Sequence, residues 1–245
     1  MEQLRNLKNL NGFALAARDG EIGKLKEVYF DDQAWSVRYL VVQMGGIFLG
    51  REVLITPRVI ESIDEDGRHI VVNLSREQVE NSPPVSSERP VSRHYEAEYH
   101  RYYGLEPYWS IGPIGAPPEP GPTALPAVPP REPEHPHLRS SDEIVGYHIA
   151  ARETDIGKVE DLVIDDSDWS VAYVVIDTRR WLPGRTVLIA PAWIEAVDWP
   201  GRSIEVDLAR EAIESAPDYD PSTLIDAEYE ARLFAHYGKS LPQHR

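Results

Sequence analysis

The sequence predicts a mainly β chain: two tandem copies of one small β-barrel, each followed by short α-helices and joined by a proline-rich linker. Three observations in the 245 residues carry this. The sequence repeats itself at a constant offset of 134, so that Gly12 meets Gly146. Each copy consists of short β-branched and aromatic runs separated by turn residues. Proline, 21 residues in all, is concentrated between the copies.

The repeat comes first, because a duplicated domain fixes the organisation of everything else. At the offset of 134, Ile22-Gly23-Lys24 meets Ile156-Gly157-Lys158 and Asp31-Asp32 meets Asp165-Asp166. Trp35-Ser36-Val37 meets Trp169-Ser170-Val171, and Tyr39 meets Tyr173. Gly50-Arg51 meets Gly184-Arg185, and Val53-Leu54-Ile55 meets Val187-Leu188-Ile189. The match runs without a gap to Tyr103-Gly104 against Tyr237-Gly238. Matched positions then carry the shared fold, and mismatched ones are free to differ. The division is residues 1–108, repeat 1 with its C-terminal helix; 109–137, the linker; and 138–245, repeat 2 with its C-terminal helix. About 100 residues suffice for a core, so each half is expected to fold alone.

Within the first copy, Ala14–Arg18 is expected to be a strand and Asp19–Gly23 a turn, with glycines supplying φ > 0. Strands follow at Leu25–Phe30, Val37–Gln43 and Glu52–Thr56, the last stopped by Pro57. Val59–Ile63 and His69–Asn73 flank Asp64–Arg68 as a hairpin. Strands this short at near-regular spacing suggest a small barrel or sandwich. Ser75-Arg76-Glu77-Gln78 is a capping box opening a short helix, which Pro83 ends. A second helix is expected over Ser92–Tyr103, closed by Gly104, with Leu224–Tyr237 and Gly238 as its counterpart. Eleven prolines fall between 107 and 136, ten of them in the linker, and they exclude helix and sheet interiors there and favour extended polyproline II. Pro126–Arg131 fits a PxxPxR pattern, which so proline-rich a stretch produces by chance.

The order of these elements, with certain fixed residues, resembles the PRC-barrel family, named for the cytoplasmic domain of the photosynthetic reaction centre H subunit. Gly20-Glu-Ile-Gly23-Lys, Trp35-Ser-Val-Arg-Tyr39 and Val53-Leu-Ile-Thr-Pro57 carry the likeness, and the second copy repeats them as Asp155-Ile-Gly157-Lys, Trp169-Ser-Val-Ala-Tyr173 and Leu188-Ile-Ala-Pro191. The resemblance covers residues ~7–85 and ~141–219 and implies a small β-barrel used as an adaptor for protein assemblies. The H subunit has a membrane-spanning helix before its barrel; no such helix is expected in this chain. The carboxylates proposed to carry protons in the reaction centre are not part of the family motif, so none is carried over.

Charge and residue usage narrow the function. The net charge is −16, distributed as −3 over residues 1–104 and −10 over 138–245, which argues against nucleic acid as a direct partner. Cysteine is absent, so there is no disulfide, thiolate zinc site or cysteine nucleophile. No apolar run of ~18 residues appears and the start lacks a signal peptide. A cytoplasmic protein without an integral membrane segment is expected, with peripheral membrane association left open. The eight histidines, at 69, 94, 100, 135, 137, 148, 236 and 244, never meet a histidine across the repeat. They are therefore read as surface residues rather than a site built into the fold. Asp31-Asp32 and Asp165-Asp166-Ser-Asp168 lack EF-hand spacing and are read as turns, where Asp caps backbone N–H groups. Trp35 and Trp169 are expected to pack under the barrel wall. No catalytic constellation, cofactor motif or metal set is found. The candidate interface is the pair of matched apolar loops, Ile47, Phe48 and Leu49 in one copy and Trp181, Leu182 and Pro183 in the other. The expected function is a non-catalytic adaptor or scaffold of bacterial type that binds a protein of unknown identity, with no cofactor. The alternative is an accessory subunit of a membrane or photosynthetic electron-transfer complex, by analogy with the H subunit. The two repeats are further expected to pack as an intramolecular pseudo-dimer, with the apolar loops or the tyrosine-rich helices at the contact.

Overall fold

The computed structural model describes residues 3–45, 50–83, 85, 91–110, 137–151, 154–178 and 185–241. It is mainly β, with two seven-stranded sheets. In the first copy the strands are β1 (Leu4–Asn6), β2 (Ala14–Ala17), β3 (Gly20–Asp31), β4 (Ser36–Met44), β5 (Glu52–Ile55), β6 (Ile60–Asp64) and β7 (His69–Val72). The helices are α1 (Leu7–Leu10), α2 (Arg76–Glu80) and α3 (Arg93–Tyr103). The second copy supplies β8 (Leu138–Ser140), β9 (His148–Ala151), β10 (Thr154–Asp165), β11 (Val171–Asp177), β12 (Thr186–Ile189), β13 (Ile194–Asp198) and β14 (Ser203–Val206). Its helices are α4 (Ser141–Ile144), α5 (Arg210–Glu214) and α6 (Ala227–His236).

The sheet orders are β5-β4-β3-β2-β7-β6 and β12-β11-β10-β9-β14-β13, the same topology twice. The pairs β2·β3, β4·β5, β6·β7, β9·β10, β10·β11, β11·β12, β13·β14 and β1·β10 are antiparallel, whereas β2·β7 and β9·β14 are parallel. The seventh strand of each sheet comes from the other copy: β1 pairs β10, and β8 pairs β3. The compact units accordingly do not follow the repeat boundaries. One is formed by Met1–Asn11, Glu27–Arg38 and Ser140–Arg245, the other by Gly12–Lys26 and Tyr39–Arg139.

β5 and β12 are buried on both faces, through Val53, Leu54 and Ile55 and through Val187, Leu188 and Ile189, whereas β7 and β14 alternate and bury Ile70 and Val72, and Ile204 and Val206. Tyr39 and Tyr173 lie fully buried at matched places. The capping box at Ser75 forms in full, while its counterpart Ala209 offers no side-chain cap. Helix α3 runs as expected from Ser92, which caps Tyr95 N–H, to Gly104 in the left-handed region (φ 65°). Arg51 forks onto the carbonyls of Glu80 and Ser82, each at 2.5 Å, and satisfies the open end of α2. Arg185 does the same for α5 through the carbonyls of Glu214 and Ala216.

Several boundaries differ from the expectation. β3 starts at Gly20, not Leu25, because only Arg18 and Asp19 separate it from β2. Gly20 has φ +141°, but Gly23 is inside the strand for another reason. A Cβ there would collide with the carbonyl oxygen of Gln43, and one at Gly157 with that of Asp177. Glycine lets adjacent backbones close together at both. Helix α6 begins at Ala227, capped by Asp226, rather than at Leu224. Trp169 is buried, whereas Trp35 is half-buried in its turn, stacked on Phe30 at 5.5 Å. Both tryptophans take positive φ, 48° and 61°. The aspartates before them act as expected: Asp31 Oδ1 accepts from the N–H groups of Gln33 and Ala34, and Asp165 Oδ1 from Ser167. Linker residues 111–136 lie outside the described residues.

Candidate functional site

All six candidate interface residues, Ile47, Phe48, Leu49, Trp181, Leu182 and Pro183, lie outside the described residues. Two other arrangements stand out among the described residues. The first is a seam in the unit formed around residues 140–245, where two segments of the first copy meet the second.

At the seam, β1 lies antiparallel on β10 with Leu4 opposite Asp165, Arg5 opposite Ile164 and Asn6 opposite Val163. Arg5 Nε donates to Asp166 Oδ2 at 2.7 Å, and the Gln3 backbone N–H to Asp166 Oδ1 at 2.9 Å. Asn6 Nδ2 donates to the carbonyl of Pro221, and its Oδ1 accepts from the Tyr219 hydroxyl at 2.9 Å. Asp161 accepts from the N–H groups of Leu162 (2.8 Å) and Lys8 (3.2 Å), so it closes the first turn of α1. Burial pushes the Asp161 carboxyl up to about 6 against the pull of those two N–H groups. Glu27, the counterpart of Asp161, accepts from Ser140 Oγ, and Ser141 Oγ accepts from Val28 N–H at 3.1 Å. Between these contacts the two tryptophan turns exchange backbone bonds: Val37 N–H donates to Trp169 O at 2.8 Å, and Val171 N–H to Trp35 O at 2.7 Å. Ser36 and Ser170 form an antiparallel bridge. Because 37 corresponds to 171 and 35 to 169, this exchange is reciprocal, the mark of an isologous contact.

The second arrangement is a polar network inside the unit holding Tyr39–Arg139. The phenol of Tyr39 lies 3.1 Å from Glu96 Oε2 and 3.0 Å from His100 Nε2. Glu96 Oε2 also accepts from the Tyr108 hydroxyl at 2.9 Å, and Arg93 lies 3.2 Å from Glu96 Oε1. Glu96 and His100 are each only 2% exposed. Rings of Tyr39, Tyr99, Tyr108 and Trp109 meet His100 edge-on. The Arg93 guanidinium covers Trp109 at 4.4 Å. Burial, with the Glu96 charge beside it, holds the Tyr39 phenol well above its ordinary value. Burial, then the cations Arg58 and Arg93, push His100 down to about 4. It is therefore neutral at pH 7. One proton assignment satisfies most of the network: Tyr39 donates to the carboxylate and accepts Nε2–H from His100. His100 Nδ1 is left as a buried lone pair without a partner.

The surface reading of the histidines therefore fails at His100, whose counterpart Phe234 is also buried. His236 reaches the carbonyl of Ala212 at 2.7 Å, and His148 lies 3.2 Å from Asp155. The second copy keeps the tyrosine–glutamate pair, Tyr173 donating to Glu230 at 2.5 Å, without the histidine. Among the described residues no three His, Asp or Glu side chains are grouped to hold a metal ion. The network anchors α3 and the turn at Tyr108–Ser110 to the sheet, while the seam offers backbone hydrogen bonding flanked by buried acids.

Among the described residues no helix is long and apolar enough to cross a membrane. A comparison with curated proteins finds no match. Residues 2–79 and 137–213, well over half of the sequence, match the PRC-barrel domain, and the chain is a member of the PRC-barrel domain family with two tandem copies.

Proposed function

We propose that this protein is a non-catalytic adaptor in which two small barrels, fused as a pseudo-dimer, dock other proteins. The observation that supports the reading most is the reciprocal exchange of backbone hydrogen bonds between Trp35–Val37 and Trp169–Val171. It joins the repeats through main-chain pairing and leaves their matched apolar loops to diverge, as Ile47-Phe48-Leu49 and Trp181-Leu182-Pro183 have done. The buried polar groups described above serve packing: each is tied to a strand, a helix end or a neighbouring ring. Divergent loops on a duplicated scaffold suit two different protein surfaces better than one.

The test is affinity purification from the native host with the full chain and with two loop variants, Phe48→Asp and Trp181→Asp. A stoichiometric protein partner is expected with the parent, lost in one or both variants while their thermal melts stay within about a degree of the parent. Failure to recover any stoichiometric partner, or recovery indifferent to both loops, refutes the docking assignment.

A further inference from the structure

Reciprocal exchange raises a question that symmetry alone leaves open. If the two copies offer the same pairing surfaces, a β1-type segment could equally pair with the long strand of its own kind in a second chain. The charges at the seam discriminate. Lys8 Nζ lies 3.3 Å from Glu160 Oε1 across the β1–β10 contact. At the offset of 134 the position of Lys8 is held by Asp142, and that of Glu160 by Lys26. Both signs are inverted. In the seam geometry, pairing unlike copies sets Lys8 on Glu160; pairing like copies would set Lys8 on Lys26, or Asp142 on Glu160. Each like-with-like arrangement therefore meets a repulsion at the spot where the unlike one has an ion pair. Other seam positions, such as Arg5 and Arg139 or Asp166 and Asp32, are the same in both copies and carry no such information.

We infer that the inverted pair at positions 8 and 26 against 142 and 160 selects unlike over like repeats, and so favours strand exchange within one chain over exchange between chains. The neighbours of Lys8 reinforce it. Buried Asp161 feels Lys8 as an attraction and Glu160 as a repulsion, so a cation is wanted beside it. Lys26 is held 2.5 Å from Glu52 in its own unit, which fixes a cation on the first copy's long strand. Like-charge juxtaposition acts as the repulsive element that specific interfaces need in addition to attraction. The inference rests on the seam alone and holds whether or not the adaptor reading does.

The test uses the full chain and a cycle of Lys8→Glu, Glu160→Lys and the double variant, at low salt and at about 1 M. Lys8 is half exposed and Glu160 partly so, so the pair is modest in strength. Each single variant should lower the Tm by about 1–3 °C at low salt, and the double should return to within about a degree of the parent. In high salt the differences should shrink. The decisive readout is the dimer fraction after refolding at high protein concentration, measured by light scattering on a sizing column. Lys8→Glu makes like pairing attractive, since the new carboxylate would face Lys26, and unlike pairing repulsive, so its dimer fraction should rise several-fold over the parent. Adding Glu160→Lys restores an ion pair to the unlike arrangement but also turns the Asp142–Glu160 repulsion of the like arrangement into an attraction, so the double variant's dimer fraction should stay above the parent's even as its Tm recovers. A Lys8→Glu dimer fraction equal to the parent's overturns the inference, as does a double variant whose loss of stability equals the sum of the two singles.

Discussion

Replacing His100 by Phe, the residue its counterpart position already carries as Phe234, tests the physical reading of the buried network. His100 Nδ1 is buried without a partner, and such an atom costs about 1–3 kcal/mol. The substitution also removes the Nε2 bond to Tyr39, a contact worth about 1 kcal/mol, while Tyr39 keeps Glu96 at 3.1 Å. The edge-on contacts with Tyr39, Tyr99, Tyr108 and Trp109 are open to a phenyl ring. The net effect at pH 7 is a stabilisation of about 1 kcal/mol, a rise of about 2–4 °C in Tm. The pH dependence is sharper. The folded value is about 4 against 6.5 for the free side chain, so the unfolded chain takes up the proton first. Stability is complete above pH ~6.5 and falls by at most ~1.4 kcal/mol per unit until pH ~4. His100→Phe removes this fall, so its advantage should widen between pH 7 and pH 5. Chemical unfolding at pH 7, 6, 5 and 4, read by tyrosine and tryptophan fluorescence, measures both. A variant that is less stable at pH 7 and keeps the parental pH slope would refute the assignment of a neutral, partly unsatisfied histidine.

The other predictions follow from the same geometry. Asp161→Asn should raise stability at pH 8 and converge with the parent by pH 4, because a carboxyl raised to about 6 loses stability as pH climbs through that value; unfolding curves at the two pH values check this. Gly23→Ala and Gly157→Ala should each cost about 2 kcal/mol or more, since the new methyl meets a backbone carbonyl that cannot step aside; unchanged denaturation midpoints would contradict the close approach. Arg51→Lys should destabilise nearly as much as Arg51→Ala, about 2 kcal/mol by denaturant unfolding, because an ammonium cannot reach both carbonyls of the α2 end. Deleting residues 1–11 should weaken the unit built around residues 140–245, detectable as lost hydrogen-exchange protection in β10.

Much of the fold was legible because local signals and the repeat agreed. The β-branched runs gave β4, β5 and β7 to within a residue or two, and the Ser75 and Gly104 caps bounded their helices. What escaped was the first strand of each copy. Leu4-Arg5 and Leu138-Arg139 do match at the offset of 134, but three residues are too short for periodicity to register. The exchange was harder still. A repeat says that two segments have the same role, not which copy's sheet each one joins. The surface reading fails at His100 because a counterpart that is not histidine says nothing of burial. Its counterpart Phe234 was the better clue, since an apolar residue at the matched place points to a buried position. The charge inversion at 8 and 142 was visible in the sequence but had no meaning until the 8–160 contact was known.

The pairing of Leu4 with Asp165 also bears on synthesis. The β1 segment leaves the ribosome about 160 residues ahead of the strand it joins. At about 5–20 residues per second this is a delay of roughly 10–30 s. Over that interval the segment, with Leu7 and Leu10 destined for the core, is an unpaired edge in a crowded cell. Contacts of such sequence separation are slow to form and exposed to aggregation until they do. Folding of the unit built around residues 140–245 is therefore timed by the late stages of translation, and a ribosome that stalls after the first repeat releases a chain whose β1 segment has no sheet to join.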